Sequence, residues 1–422
     1  MCCAGLANGQ EVLTLNDAVS LALKNNFQIQ IARQEAVIDK TNNTLGNAGF
    51  LPEVNLNFGR NLNINNTRQE FFSGDVREGN NVNTNNLNAN IQLGWTVFDG
   101  LRMFVSRERL QQIEELGMLT LQLQIEQTIF QIMNLYYRIE HETDRKETIE
   151  KAIEISKERL ALARLKQEVG AGSGIQVLQA EVDIQSDSSM LIGQQLIIRN
   201  LKIQLNELLS REPDLDFSIE NTKALAIEDY NSLAEKMTQR NILLQANEKN
   251  SKLAALQIKL WEANKYPVVD INVGYAFSRL QAEIGVLKFN QNTGLSAGIT
   301  GRWNLFNGWN NKREIQVAKL QMDNTKLMEE QTRLSLKTDL FTAYSNYLTQ
   351  REMERMEEKN IKIAQQNLAI TTEKMRVGVI DALELRQAQL NLVNAEFRKI
   401  DASFETHVSV LELKRIAGDL MQ

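Results

Sequence analysis

The sequence is poor in the residues that form disulfides, bind metals and carry acid–base chemistry. Its 422 residues include only two cysteines, Cys2 and Cys3, and two histidines, His141 and His407. Two adjacent terminal cysteines exclude a disulfide framework and a cysteine-based metal site. The histidines fall on separate predicted helices among polar neighbours, so we expect solvated side chains there. Because hydrolase and phosphate-binding motifs are also missing, the sequence predicts no enzyme, no cofactor and no metal.

Proline, aromatic residues and long apolar runs are scarce as well. Only 3 residues are proline and 6% are aromatic, whereas 24% are charged. Few prolines, together with many Leu, Gln, Glu, Lys and Ala residues, favour long helices. No apolar run reaches about 18 residues, so no transmembrane helix is predicted. The formal charge of -6 without a basic tract argues against nucleic acid as a partner.

Two short glycine turns occur at matching places in the two halves of the chain. The stretch EVGAGSGIQVLQAE at 168–181 recurs as RVGVIDALELRQAQ at 376–389. Each copy joins two helical patterns, and Ser173 or Asp381 is placed to cap the second of them through its side-chain oxygen. We therefore predict two helical hairpins in a duplicated fold.

The duplication defines the predicted domains. Residues 10–210 form the first structural repeat and 229–422 the second, with a linker segment at 211–228. The predicted hairpin tips are residues 169–174 and 376–381.

Residues 1–9 are interpreted as the remnant of an export signal. Ala7-Asn8-Gly9 loosely resembles a signal-peptidase site, although the charged and apolar regions that normally precede one are missing. A start codon placed too far downstream explains such a remnant, and the alternative is a plain disordered terminus. Cys2 is a weak candidate for lipid attachment because no apolar stretch precedes it.

Helical spacing fills most of the chain. Residues 15–46 and 231–263 are each predicted to form one helix, and 101–169 and 309–376 much longer ones. The first long helix has apolar residues every three or four positions, as in a coiled coil: Ile125, Ile129, Ile132, Tyr136 and Ile139.

Four segments alternate instead between apolar and polar residues: about 52–64, 86–98, 267–279 and 293–305. Leu87-Asn88-Ala89-Asn90-Ile91 is the clearest example. Such strands form either an antiparallel sheet packed on a core or a membrane barrel with lipid outside and water inside. Each is long enough to cross an outer membrane at a tilt. Residues 65–86, which are polar and rich in asparagine, are predicted to be a surface loop.

Aromatic residues cluster where the second strand ends in each half. The sequence WTVFDG at 95–100 matches WNLFNG at 303–308. The cluster suits either an ordinary core or a girdle at a membrane interface: Trp95, Phe98, Trp303, Phe306 and Trp309.

Taken together, these features resemble the TolC-like outer-membrane efflux proteins, or outer-membrane factors, over essentially the whole chain. The resemblance is carried by the opening helix Leu15-x-x-Ala18-Val19-x-x-Ala22-Leu23, by Pro52 and Pro267 before the strands, by the W-x-x-F-x-G strand ends, and by the Val-Gly turns followed by Val177-Leu178-Gln179-Ala180. It implies a mainly α-helical chain with a β-barrel part. Each chain of a homotrimer would give four strands to a twelve-stranded outer-membrane barrel and its helices to a periplasmic tunnel.

The resemblance also implies a function. It predicts an exit duct of a tripartite efflux pump or type I secretion system, in the outer membrane with a long periplasmic portion. The duct would passively conduct small molecules or polypeptide. Its partners would be a periplasmic adaptor (a membrane fusion protein), an inner-membrane pump and outer-membrane lipid. The alternatives are a periplasmic coiled-coil scaffold and a stand-alone porin.

Finally, the resemblance assigns roles near the two tips. The adaptor contacts are expected at Val169, Gly170, Ala171, Val377, Gly378 and Val379, which are otherwise plain turn residues. Glu384 matches an acidic ring at the tunnel constriction, with Gln176 as its counterpart in the first repeat; the alternative is an ordinary solvated glutamate. Arg386, opposite Leu178 of the first copy, is expected either to pair with Glu384 and hold the gate shut or to neutralise the ring.

Overall fold

The chain divides into two compact units. A computed structural model describes residues 11–222 and 227–420. The first unit holds the described parts of Met1–Glu35, Leu119–Ala246 and Glu329–Gln422, and the second holds Ala36–Met118 and Asn247–Met328. The expected export remnant at 1–9, with both cysteines, lies outside the described residues.

Helices make up most of the described chain. In order they are α1 (Leu15–Asn25), α2 (Phe27–Asn42), α3 (Arg102–Glu168), α4 (Gly174–Leu208), α5 (Tyr230–Arg240), α6 (Ile242–Ala263), α7 (Asn310–Arg376) and α8 (Ala382–Ala417). The predicted long helices are confirmed as α3 and α7, of 67 residues each. None of the described helices is long and apolar enough to span a membrane.

The helix predicted for 15–46 is in fact broken at Asn26. The backbone of Asn26 is extended, and the side-chain Oδ1 of Asn26 accepts hydrogen bonds from the amides of Gln28 (2.9 Å) and Ile29 (3.1 Å). The side-chain amide donates to the Leu208 carbonyl at the end of α4, at 2.8 Å. One buried asparagine therefore caps α2 and ties it to another helix, because a short polar side chain competes with the backbone for these bonds.

The helix predicted for 231–263 is broken in the same way at Asn241. The side-chain Oδ1 accepts from the amides of Leu243 (3.0 Å) and Leu244 (3.2 Å), and the side-chain amide donates to the Ile416 carbonyl at 2.9 Å. The two breaks are therefore equivalent features of the two halves.

The strands form two sheets. They are β1 (Glu11–Leu13), β2 (Glu53–Glu70), β3 (Val76–Phe98), β4 (Phe217–Ile219), β5 (Val268–Ala282) and β6 (Phe289–Arg302). The larger sheet has the order β2-β3-β5-β6 with antiparallel neighbours, and β1 pairs in parallel with β4.

The prediction of a surface loop at 65–86 was wrong. β2 and β3 continue through it as a paired hairpin, with a register shift between Asn65 and Thr67 and a short turn closed by the Phe71 amide bonding to the Asp75 carbonyl at 2.8 Å. The polar side chains on both faces of this hairpin indicate that it is exposed to water. Polar side chains do not prevent the backbone groups of two strands from pairing. β6, in turn, ends at Arg302, before the predicted limit of 305.

The buried core of the first unit is made by side chains of the long helices α3 and α7 that pack against the shorter helices and strands. One cluster gathers residues of β1, α1, α3, α4 and β4 around the fully buried Tyr136, and another gathers residues of α5, α6, α7 and α8 around Leu340. The predicted seam of α3 takes part, since four of its five residues are buried: Ile129, Ile132, Tyr136 and Ile139.

Candidate channel wall and gate

The four-stranded sheet has one apolar face and one polar face across its width. Strand pairing places side chains in rows, and residues directly opposite each other share a face. One row is apolar from edge to edge: Leu56, Ile91, Tyr275 and Leu295. An adjacent row holds only polar or small residues: Asn55, Gln92, Gly274 and Ser296. Leu56 is 77% exposed and Leu295 73%, so the described residues do not cover the apolar face.

The polar face carries two oppositely charged residues, Asp270 and Arg302, close to the end of the sheet that is next to the helices. Asp270 accepts a hydrogen bond of 2.7 Å from the Thr96 hydroxyl and lies 3.5 Å from the Arg302 guanidinium. The neighbouring rows are mostly asparagine, glutamine, serine and glycine, which can hydrogen-bond without adding net charge.

The tryptophans of the predicted girdle occupy equivalent positions in the two halves. The indole of Trp95 donates to the carbonyl of Phe50 at 2.9 Å, and that of Trp303 donates to the carbonyl of Lys265 at 3.1 Å. Each acceptor lies two residues before a proline at the start of a strand. Both indoles are also partly exposed, which fits an aromatic side chain with one polar and one apolar contact.

The other girdle candidates lie beside them in the chain. Phe306 and Trp309 pack edge to face at 5.8 Å and are both exposed, whereas Phe98 is half-buried at the end of β3. Trp303 and Phe306 lie beyond the end of β6, so they belong to the connection into α7.

Both hairpin tips have the same backbone structure. After α3, the amide of Gly170 donates to the Gln167 carbonyl (3.0 Å) and that of Ala171 to the Lys166 carbonyl (2.8 Å). After α7, Gly378 donates to Met375 (3.2 Å) and Val379 to Lys374 (3.0 Å). These bonds form a Schellman motif, which needs a left-handed residue, and the glycine φ angles are 74° and 80°.

The expected caps follow each turn. Ser173 accepts a hydrogen bond from the amide of Ile175, and Asp381 accepts from the amides of Leu383 and Glu384. The predicted capping residues are therefore confirmed.

Exposed valines form the outer surface of the tips. Val169 is 68% exposed, Val377 73% and Val379 71%, and Ala171 is exposed too. The Lys166 ammonium group also donates to the Met375 carbonyl, so the two tips are hydrogen-bonded to each other. The residues predicted to meet an adaptor are thus brought together as an accessible apolar surface.

The two constriction candidates are placed differently by the structure. Glu384 is exposed, and its carboxylate forms no ion pair with any described residue. Gln176 is half-buried in the first turn of α4.

The expectation that Arg386 pairs with Glu384 is wrong. Its guanidinium instead makes two hydrogen bonds, of 2.9 and 2.8 Å, to the carboxylate of Asp187 on α4, and lies 3.7 Å from Asp183. Because residues two apart on a helix point in different directions, Arg386 and Glu384 do not face one another. The hydrogen bonds to Asp187 raise the pKa of Arg386 above its ordinary value.

The pair belongs to a buried network that joins α3, α4 and α8. The Ser156 hydroxyl donates to Asp187 at 2.8 Å, and the Gln389 side chain donates to Ser156 at 2.9 Å and to the Ala152 carbonyl at 2.7 Å. Arg159, only 3% exposed, forms an ion pair with Asp183. Burial lowers the pKa of Arg159 despite that partner.

The sequence analysis did not identify Asp183, Asp187 or Arg159. The available signal was the pair of aspartates four residues apart, because this spacing places both on one face of a helix. An arginine at a position where the other repeat has leucine was a second signal, since a charged side chain in place of an apolar one indicates different contacts in the two repeats.

The histidines also differ from expectation, because they pack between helices rather than lying in solvent. The His141 side chain is 12% exposed and its Nε2 lies 2.8 Å from the Asp401 carboxylate. His407 stacks on Tyr137 with ring centres 4.9 Å apart, and burial lowers its pKa.

Sequence comparison places these features in a known family. The family described as "Outer membrane efflux protein" matches residues 18–211 and 233–419, which is most of the chain. The chain belongs to the outer membrane efflux protein family. A relative, the outer membrane efflux protein BepC of Brucella suis biovar 1 (strain 1330), is 20% identical over 97% of this chain and 87% of that protein.

Solved structures share the fold. The outer-membrane channel OprN is 19% identical, with a TM-score of 0.80 over 96% of this chain and 89% of its own. VceC from Vibrio cholerae is 16% identical, with a TM-score of 0.80 over 96% of both chains. CusC is 14% identical, with a TM-score of 0.77 over 99% of this chain and 95% of its own.

Family membership establishes the class of protein. This outer membrane efflux protein is a channel of the bacterial outer membrane and not an enzyme. Its long helices and its four-stranded sheet have the fold of these solved outer-membrane channels. The periplasmic-scaffold alternative is therefore set aside.

Proposed function

We propose that three copies of the chain form a passive exit duct through the outer membrane. The observation that supports this most strongly is the sheet, which has an exposed apolar face and two edge strands, β2 and β6, each paired on one side only among the described residues. In lipid, backbone groups at an open sheet edge lack hydrogen-bond partners, so the edges must pair with other copies. Three copies would close a twelve-stranded barrel with its apolar face toward lipid and its asparagine-rich face toward water.

We further propose that the duct is the outer part of a tripartite assembly. The exposed tips around Ala171 and Val379 would contact a periplasmic adaptor, which couples the duct to an inner-membrane pump. The pump supplies the energy, and the cargo is a small molecule or a polypeptide. Residues 10–210 and 229–422 would act as the two repeats of this assembly, with 211–228 as the linker.

The gate is proposed at the tip end of the second hairpin. Glu384 would line the constriction, so that three copies form a ring of carboxylates that favours cations. Gln176 would complete that ring with neutral hydrogen-bonding groups. Arg386 would hold α8 against α3 and α4 through Asp187, which keeps the constriction narrow.

The aromatic girdle is proposed at the periplasmic edge of the barrel. Trp95 and Trp303, with Phe98, Phe306 and Trp309, would lie at the level of the lipid headgroups. The indole hydrogen bonds of Trp95 and Trp303, to residues before Pro52 and Pro267, would hold the strand ends at that depth.

The barrel is tested by placing one arginine on either face of β3. Ile91→Arg puts a charge on the apolar face and should cost about 2 to 4 kcal/mol near the membrane midplane. Asn90→Arg, one residue away, puts the same charge on the polar face and should assemble normally. The measurement is the yield of heat-resistant trimer extracted with detergent from outer membranes. Equal loss of trimer in both variants would show that the faces are assigned wrongly.

A further inference from the structure

The apolar face of the sheet is interrupted by a row that contains two arginines, and the row beyond it is mixed, with Leu62, Asn85, Gln281 and Phe289. Counted away from the helices, successive apolar rows run to the one with Phe58, Ala89, Phe277 and Thr293. The next row on the same face holds Arg60, Leu87, Arg279 and Gln291. It lies about 7 Å further along the strands, because residues two apart rise about 3.3 Å each.

Neither arginine is neutralised within the described chain. Both are exposed, and neither forms an ion pair with a described carboxylate. Arg60 donates through Nε to the Asn85 side chain at 3.1 Å, and the Arg279 guanidinium lies 5.3 Å from the centre of the Phe289 ring. These contacts orient the guanidinium groups and leave most of their N–H donors available.

Glu283, the residue that follows β5, already accepts hydrogen bonds. Its carboxylate accepts hydrogen bonds from the backbone amide of Asn83 (2.9 Å) and from the Asn83 side chain (3.2 Å). Within the described chain it forms no ion pair with Arg60 or Arg279.

We propose that Arg60 and Arg279 bind a phosphate group of an outer-leaflet lipid. This inference rests on the proposed barrel, in which this face meets lipid. An unpaired arginine is strongly disfavoured at the membrane midplane but tolerated near the interface, so the row marks the headgroup level. The two residues flank β3, which places their Cα atoms about 10 Å apart. Guanidinium groups suit phosphate because their planar donors match its oxygens in pairs.

The test uses purified protein in detergent and native mass spectrometry. The protein is titrated separately with three ligands: bis-phosphorylated lipid A, lipid A from which the phosphates are removed, and inorganic phosphate. Wild type should bind the phosphorylated lipid about tenfold or more tightly than the phosphate-free lipid, because charged hydrogen bonds are lost in the latter. The double variant Arg60→Gln/Arg279→Gln should lose this preference.

Arg68→Gln is the matched control. Arg68 lies further out, is exposed, and pairs with Glu78 at 2.8 Å, so its loss should leave the lipid preference intact. Equal binding of both lipids by wild type, or an unchanged preference in the double variant, would overturn the proposal. Equally strong binding of inorganic phosphate would also overturn it, by indicating a general anion site.

Failure of this proposal can be told from failure of the proposed duct. The double variant leaves both sheet faces and the tips intact, so it should still form trimers that conduct in a planar bilayer. If wild type itself forms no conducting trimer, the duct is wrong. If it conducts without any lipid preference, only the lipid site is wrong. If the double variant does not assemble, the proposal is tested by comparing the binding of the two lipids to wild type.

Discussion

The turn after α3 and the turn after α7 have the same backbone hydrogen bonds, yet the helices that follow them differ in charge. Gly170 and Gly378 have nearly equal φ angles. Further along, Leu178 is exposed on α4, whereas its counterpart Arg386 on α8 is largely buried and bonded to Asp187. The comparison indicates that backbone geometry constrains the turns, while the side chains beyond them have diverged so that the second hairpin is fastened to the first.

The largest expected effect tests whether the two tips are equivalent. Ala171→Asp and Val379→Asp should each abolish export, because a charge in an apolar contact loses its hydration without gaining a partner. Trimer yield should not change, since both residues are exposed. Export and trimer content are measured in the same cells. Normal export in both variants would contradict the adaptor role, and loss in only one would show that the tips differ in function.

The next largest effect tests the ion pair between Arg386 and Asp187, which joins the two hairpins. Arg386→Leu makes the second hairpin resemble the first and leaves Asp187 buried without its partner, which should cost about 3 kcal/mol or more. Arg164→Leu is the control, because the Arg164–Glu181 pair, at 2.7 Å, is exposed on the same hairpin as Asp187 and should contribute less than about 1 kcal/mol. Both are measured as the free energy of unfolding in denaturant. Equal effects of the two changes would argue against a special role of Arg386.

The smallest effect concerns what the tips share. Gly170→Ala and Gly378→Ala should each cost about 1 to 2 kcal/mol, because an L-residue is strained at positive φ. Apart from the glycine and its two chain neighbours, no described heavy atom lies within 4 Å of the added methyl group at either site, so backbone strain is the expected cause. Hydrogen exchange of the tip amides should quicken by similar factors in both. Gly193→Ala in the interior of α4, also with nothing within 4 Å, should instead stabilise its helix.

The sequence predicted those parts of the fold that repeat or alternate. The glycine turns, their caps and the long helices α3 and α7 were predicted because each has a local cause in nearby residues. The breaks at Asn26 and Asn241 were missed: each asparagine caps the amides two and three residues on, but its other hydrogen bond goes to a carbonyl far away in sequence, at Leu208 or Ile416. Local spacing does not show such a partner.

The site was less predictable than the fold for the same reason. Glu384 and Arg386 were identified by position, but the partner of Arg386 lies on another helix, and only packing brings Asp187 within reach. The segment 65–86 was wrongly predicted to be a loop, because asparagine is common in loops but is also tolerated on exposed strands that face water.

Single-channel recording tests the central claim, a duct gated at the tip of the second hairpin, most directly. Purified wild-type trimer in a planar bilayer should be closed most of the time and cation-selective when open, whereas a stand-alone porin would conduct constantly. Glu384→Gln should lose that selectivity, because it removes one carboxylate per copy from the constriction. Glu373→Gln is the control, since Glu373 is exposed on α7 and pairs with Arg376 at 2.9 Å. Unchanged conductance and selectivity in Glu384→Gln would contradict the account and place the gate elsewhere.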